Sequence, residues 1–137
     1  MSAGLNIATD EEADEVFAIA KLLAQHGISN DSNIALRSAV SRGYYSVFLA
    51  AHRRSGSSDT NEVHGKVIGA CKKNIGFMRT QPLIMMRELR VIADYFTSAT
   101  PPSDMDAPHD LTDWQANWKY VEVQAPQLRV NLNKWKR

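Results

Sequence analysis

The sequence predicts an all-α domain of four to five helices arranged as an up-and-down bundle, and two observations carry that expectation. Apolar residues recur at steps of three and four in five separate stretches, with no alternating apolar and polar run of the kind a half-buried strand needs. The chain has 137 residues, 44% hydrophobic and 23% charged, which suits one ordinary globular core and not a disordered chain.

The first helix is expected over Asp10 to His26. Thr9 and Glu12 have the spacing of a capping box, Ala13, Val16, Phe17, Ala20 and Leu23 follow on one face, and Gly27 reads as the stop. Ser29 to Ser32 then form a turn that offers N-caps to a second helix over Asn33 to Arg54, whose stripe is Leu36, Val40, Tyr44, Val47 and Ala51. This helix carries an adjacent second stripe, Ser41, Tyr45, Phe48 and His52, so two of its faces are expected to be covered, the second by another helix or another chain.

After a loop over Ser55 to Ser58, Asp59 with Glu62 supplies a cap for a third helix over Thr60 to Asn74, presenting Val63, Val67 and Cys71. Gly65 and Gly69, four apart, suggest a close approach by a neighbouring backbone. Pro82 fits the first turn of a fourth helix running to Thr97, with Leu83, Met86, Leu89, Ala93 and Phe96 toward the core. Thr100 to His109, rich in proline and aspartate, reads as a surface connector. The last segment sets Leu111, Trp114, Trp118, Val121, Ala125, Leu128, Leu132 and Trp135 on a heptad seam over residues 111–135. Pro126 interrupts it and predicts a kinked helix or two short ones. Tryptophans at seam spacing read as core in preference to a base-stacking platform.

Charge and residue inventory exclude several functions. Sixteen Lys and Arg against fifteen Asp and Glu leave a net charge of +1, so no whole-molecule field draws the chain to nucleic acid or a membrane, and any RNA contact must be local. Five acids between Asp10 and Glu15 and four bases between Arg129 and Arg137 could attract one another, but a solvated helix start and a solvated tail are the expected reading. The single cysteine, Cys71, allows no internal disulfide, and its place on an apolar stripe suits a small filler better than a nucleophile. Without an 18-residue apolar run or a signal-peptide pattern, no membrane association and a cytoplasmic setting are expected.

The histidines His26, His52, His64 and His109 lie on different segments and form no helical metal-binding pair, so no metal is expected. No glycine-rich phosphate loop is present, and no cofactor is expected. What remains is a polar group on two helices. Arg87, Arg90 and Asp94 share one face of the fourth, where Arg90 and Asp94 at i,i+4 can pair beside Tyr95. Arg42, Tyr45 and His52 lie on the second. A fixed ion pair with core aromatics and a functional site fit these residues equally well.

The string from Val40 to His52, with Arg42, Tyr44, Tyr45 and Phe48, resembles the aromatic helix of the HEPN family, in which a Tyr-Tyr-x-x-Phe run ends near a histidine. Arg90-Val-Ile-Ala-Asp94-Tyr95 is similar to that family's Arg-x-x-x-Asp-Tyr form, and His64 opens the third helix where many members have a histidine. The likeness covers roughly Asn33 to Phe96. It implies a helical bundle that commonly forms homodimers, is often encoded in toxin–antitoxin or defence systems, and has an antitoxin or a nucleotidyltransferase as partner. Many members are metal-independent ribonucleases using an Arg followed four to six residues later by His. Here no arginine has a histidine at that spacing, and Arg90 leads to Asp94, whose carboxylate repels a phosphate unless Arg87 or Arg90 neutralises it.

Three functions are therefore expected as alternatives. The first is a domain binding RNA, a nucleotide or a partner protein through Arg42, Tyr45, Arg87, Arg90 and Tyr95. The second is a ribonuclease with His52 or His64 as the acid/base, and Arg90, beside Asp94, stabilising the phosphate across a dimer. The third is a helical scaffold whose second stripe is only an assembly surface.

Overall fold

The computed structural model describes residues 8–56, 62–95 and 110–135. Among them are five helices and no strand: α1 (Asp10–Ser29), α2 (Asn33–Ser55), α3 (Val63–Ile75), α4 (Phe77–Tyr95) and α5 (Trp114–Asn133). The expected helical bundle is thus observed. Of the loop expected over Ser55 to Ser58, Ser55 ends α2 and Gly56 caps it at φ 66°, while Ser57, Ser58 and the Asp59 cap, the connector over Thr100 to His109, and Thr60, Phe96 and Thr97 at the expected helix ends lie outside the described residues.

The bundle is built around α2, which packs against each of the other four helices. Its sequence explains this. The stripe Ala35, Ala39, Gly43, Ser46 and Ala50 is small enough to let other helices close in, and Leu36, Val40, Tyr44, Val47 and Phe48 fill the space beyond. A helix buried nearly all round is a central helix. The second stripe is covered by α3 and α4 of the same chain, so it does not offer the assembly surface that the scaffold reading required.

The capping box forms as expected. The Glu12 amide donates to Thr9 Oγ1 at 3.2 Å and the Thr9 amide donates to Glu12 Oε1 at 3.0 Å. Thr9→Ala removes one of these bonds, and a loss of about 1 kcal/mol of stability in chemical denaturation is expected. Beyond this cap, α1 continues past its expected end. Gly27 does not stop the helix; it lies inside it because Leu36 of α2 presses there, with Leu36 Cγ only 2.7 Å from where a Cβ would stand. The chain turns two residues after Ser29, at Asp31, whose φ of 52° is left-handed.

Other glycines also change roles. A Cβ at Gly65 or Gly69 would meet nothing within 4 Å, so no backbone closes on α3 there. The close contact is at Gly43 instead, where a Cβ would collide with Val121 of α5. Gly76, at φ 96° and ψ 157°, is the single residue joining α3 to α4. Helix α4 therefore begins at Phe77, five residues before the proline expected to open it. Pro82 sits inside the helix, where it cannot donate to the carbonyl of Met78; that residue is 77% exposed, so water can take the bond. The start is held by Thr80, whose hydroxyl donates to the Gly76 carbonyl at 2.8 Å.

Helix α5 likewise runs through Pro126 as one helix and not as two. The proline is on the exposed side, and the seam from Trp114 to Leu132 stays buried in phase across it. Trp114 and Trp118 are core residues, at 5% and 3% exposure. The start is at Trp114, later than expected, because Asp113 accepts the Ala116 amide at 3.0 Å. The buried Asn117 donates to the Leu111 carbonyl at 2.9 Å and ties the incoming chain down.

Two arginines join helices in ways the local sequence does not signal. Arg37 donates from Nε to the Ala93 carbonyl and from Nη2 to the Ile92 carbonyl, at 3.0 and 3.1 Å, closing the C-terminus of α4. Arg54 donates to Asp10, to the Leu132 carbonyl and to Asn133, binding α1, α2 and α5 at one end. Arg129 bonds Asp14 at 2.6 Å and lies 4.0 Å from Asp10. The acidic start is therefore not simply solvated: it pairs with Arg129 and Arg54. The Arg54 hydrogen bond holds the Asp10 carboxyl below its ordinary 3.8.

Candidate functional site

The polar residues of α2 and α4 meet where α3 begins. Tyr44, Tyr45, Phe48 and His52 follow one another at helical spacing on α2, and His64 in the first turn of α3 is laid against them. The His64 ring stacks on Phe48 with centroids 4.3 Å apart, and Phe48 stacks in turn on His52 at 5.6 Å. Tyr45 meets Tyr44, Phe48 and His64 by its edge.

One hydrogen bond fixes the proton arrangement. The Tyr44 hydroxyl and His64 Nδ1 are 2.6 Å apart. Burial raises the tyrosine pKa, so its hydroxyl keeps its proton and donates. Burial first, then Arg87, Arg90 and His52, push His64 down to about 4 from its ordinary 6.5. At neutral pH the ring is uncharged, Nδ1 accepts from Tyr44, and the ring proton sits on Nε2 as a donor.

This shift ties stability to pH. The unfolded chain takes up the His64 proton near 6.5 while the fold resists until about 4, so this contribution is complete above about 6.5 and is lost as pH falls toward 4. Asp10, whose carboxyl is also lowered, by its Arg54 hydrogen bond, loses its contribution only as pH falls below 3.8. The expected result is a thermal midpoint that declines from pH 6.5 to pH 4 and a smaller decline in His64→Gln, read by circular dichroism.

Arg90 supplies the charge. Its residue is 8% exposed, and the guanidinium carbon stands 5.3 Å from the Tyr45 ring centre and 5.8 Å from that of Tyr44. The expected pair with Asp94 is present but long, with Nη1 3.8 Å from Oδ2. That same Oδ2 accepts the Ser41 hydroxyl at 3.1 Å, and Arg90 Nε, buried, has no hydrogen-bond partner among the described residues. A cation taken out of water in this way is costly unless something completes its bonding.

Of the residues expected at a site, His52, His64, Tyr45, Arg90 and Asp94 come together, and Arg87 acts on Tyr44 and His64 through its charge. Arg42 is exposed on α2 and Tyr95 is 71% exposed at the end of α4; neither joins the ring cluster, and Tyr95 is not part of the ion pair beside which it was expected. Tyr44 was expected only as core, yet it fixes the His64 proton. Its signal in the sequence was a buried hydroxyl that needs a partner.

Cys71 is buried on α3 and its thiol is pushed up to about 12 by burial, which suits a filler. No group of three or more His, Cys, Asp or Glu among the described residues is arranged to hold a metal ion. No described helix is long and apolar enough to cross a membrane. No protein family matches the chain, and neither does any curated protein or solved structure.

Proposed function

We propose that this chain is a HEPN-like domain that binds single-stranded RNA where α2, α3 and α4 meet. The observation that carries the reading is Arg90, a buried guanidinium set against the Tyr44 and Tyr45 rings whose pair with Asp94 lies beyond hydrogen-bond reach. A phosphate would gain the charge of this guanidinium, and the neutral His64 ring and the Arg87 charge lie on hand beside it.

The surroundings favour nucleic acid over a lone anion. From residue 62 to 95 the bases Lys66, Lys72, Lys73, Arg79, Arg87 and Arg90 outnumber the acids Glu62, Glu88 and Asp94, although the whole chain is nearly neutral. Aromatic rings beside such cations are what single strands bind, through stacking and backbone contact. Binding is favoured over cleavage because a histidine held near 4 with Nδ1 occupied is a weak acid/base at neutral pH.

The test is fluorescence anisotropy of a labelled oligouridylate, read over a salt series beside a gel of the same RNA. Two to three phosphate contacts should make affinity fall roughly 30- to 100-fold per tenfold rise in salt, with the RNA intact. Absence of binding at 20 mM salt would sink the proposal, and cleavage abolished by His64→Gln would replace it with the ribonuclease reading.

A further inference from the structure

The corner between α3 and α4 is built of residues that the core does not use. Gly76 alone joins the two helices, and the two residues that follow it, Phe77 and Met78, are 58% and 77% exposed. The buried side of α4 begins only at Thr80 and Leu83. A lone apolar side chain on a surface needs no explanation, but an aromatic and a thioether in succession at a sharp corner form an apolar tip.

Around this tip every charge is positive. Lys72 and Lys73 lie in the last turn of α3 and Arg79 in the first turn of α4, all three exposed. From residue 63 to 86 the chain carries Lys66, Lys72, Lys73 and Arg79 and no acid. None of Lys72, Lys73 and Arg79 is in an ion pair among the described residues. The Lys72 ammonium stands 5.5 Å from the centre of the Phe77 ring, so a cation and the apolar tip are presented together.

An apolar tip with a basic rim complements the boundary of an anionic bilayer, where the ring and the thioether reach the acyl edge and the cationic heads stay level with the phosphates. Nucleic acid would use the same cations, but Met78, the more exposed of the two tip residues, has no ring on which a base could stack. The net charge of +1 conceals the patch, because five of the fifteen acids fall between Asp10 and Glu15. Docking of this kind also needs no membrane-spanning helix.

We infer that the α3–α4 corner docks the protein on an anionic lipid surface, Phe77 and Met78 entering the bilayer boundary and Lys72, Lys73 and Arg79 binding the headgroups. The contact is reversible and weaker than that of a single acyl anchor, with half of the protein bound at roughly 0.1–1 mM lipid. It does not rest on the RNA site, since Phe77 and Arg90 are separated by roughly 20 Å of α4 at about 1.5 Å of rise per residue.

The test is co-sedimentation of the protein at low salt with vesicles of phosphatidylcholine alone or of equal parts phosphatidylserine and phosphatidylcholine. Three bases at about fivefold each should make binding to the phosphatidylserine vesicles roughly 30- to 100-fold tighter. Phe77→Ser with Met78→Ser should lower that binding at least about tenfold and leave oligouridylate affinity unchanged. Lys72→Gln with Lys73→Gln, which alters only exposed side chains, should lower it roughly 20- to 30-fold and decides the matter if the serine variant does not fold. Leu22→Ser, which removes an apolar side chain 64% exposed on α1, should leave vesicle binding as it is. The inference is overturned if phosphatidylserine gives no preference, if either double change leaves vesicle binding intact, or if Leu22→Ser weakens it as much as they do. It is also overturned if the serine variant loses oligouridylate affinity and keeps vesicle binding, which would assign the corner to RNA.

Discussion

Replacing Arg90 by methionine is expected to leave the fold as stable as before, within about 1 kcal/mol, and to lower RNA affinity roughly 10- to 150-fold. Stability should hold because the guanidinium is weakly held: Nε has no hydrogen-bond partner among the described residues, and the Asp94 carboxylate is 3.8 Å away. Asp94, left behind, is one-third exposed and still accepts the Ser41 hydroxyl, so no isolated buried charge is created. A methionine between Tyr44 and Tyr45 adds apolar contact with rings that the arginine now faces. Affinity should fall because the hydrogen bonds lost go to a charged phosphate. Arg90→Lys should fall between the two, since an ammonium keeps the charge but loses the fork that grips two oxygens. Urea denaturation and anisotropy on the same preparations measure both quantities. A variant that loses more than about 2 kcal/mol would mean that Arg90 is a structural group.

The second large effect is on the fold itself. Gly43→Val is expected to cost more than about 3 kcal/mol, a sizeable part of the 5–15 kcal/mol that holds an ordinary domain together. Even the first added carbon collides with Val121, which is fully buried on the α5 seam and cannot swing into solvent. Gly43→Ala sets a helix-propensity gain of about 1 kcal/mol against this overlap and should still be destabilising. Adding Val121→Ala makes room, so the double variant should be more stable than the sum of the two single changes by at least about 1 kcal/mol. Gly65→Ala and Gly69→Ala are the controls. Both are open, and both should stabilise by up to about 1 kcal/mol. If Gly43→Ala stabilised as they do, the close packing of α2 on α5 would be wrong.

These glycines also show what a sequence does and does not reveal. The five helices were legible because apolar spacing is local, and the seam from Trp114 to Leu132 kept its phase even through Pro126. The Thr9 and Glu12 cap was legible for the same reason. Gly27, Gly43, Gly65 and Gly69 look alike in the chain, yet which of them is pressed by a neighbour depends on residues far away, Leu36 and Val121. Pro82 was misplaced because a proline suits a first turn, whereas the helix start is set by Gly76 turning the chain one residue after α3.

The same division holds at the site. Arg90, Asp94, Tyr45, His52 and His64 could be picked out as polar or aromatic residues that the main stripes leave over. The Tyr44 bond to His64 could not, since it joins residues twenty apart, on α2 and α3. Nor could the weakness of the Arg90–Asp94 pair, because i,i+4 spacing promises a contact and Ser41, on another helix, takes the carboxylate. Arg37 and Arg54 were missed outright because their partners are backbone carbonyls of distant helices.

The proposed RNA site depends on the Arg90 cation taking a phosphate. Its Nε–H is a single observable proton, and following that signal by NMR during a titration with oligouridylate tests the claim most directly. The expected result is a shift of the Arg90 Nε–H signal that saturates at the same RNA concentration as the anisotropy curve. RNA that binds while this signal stays where it was would contradict the account.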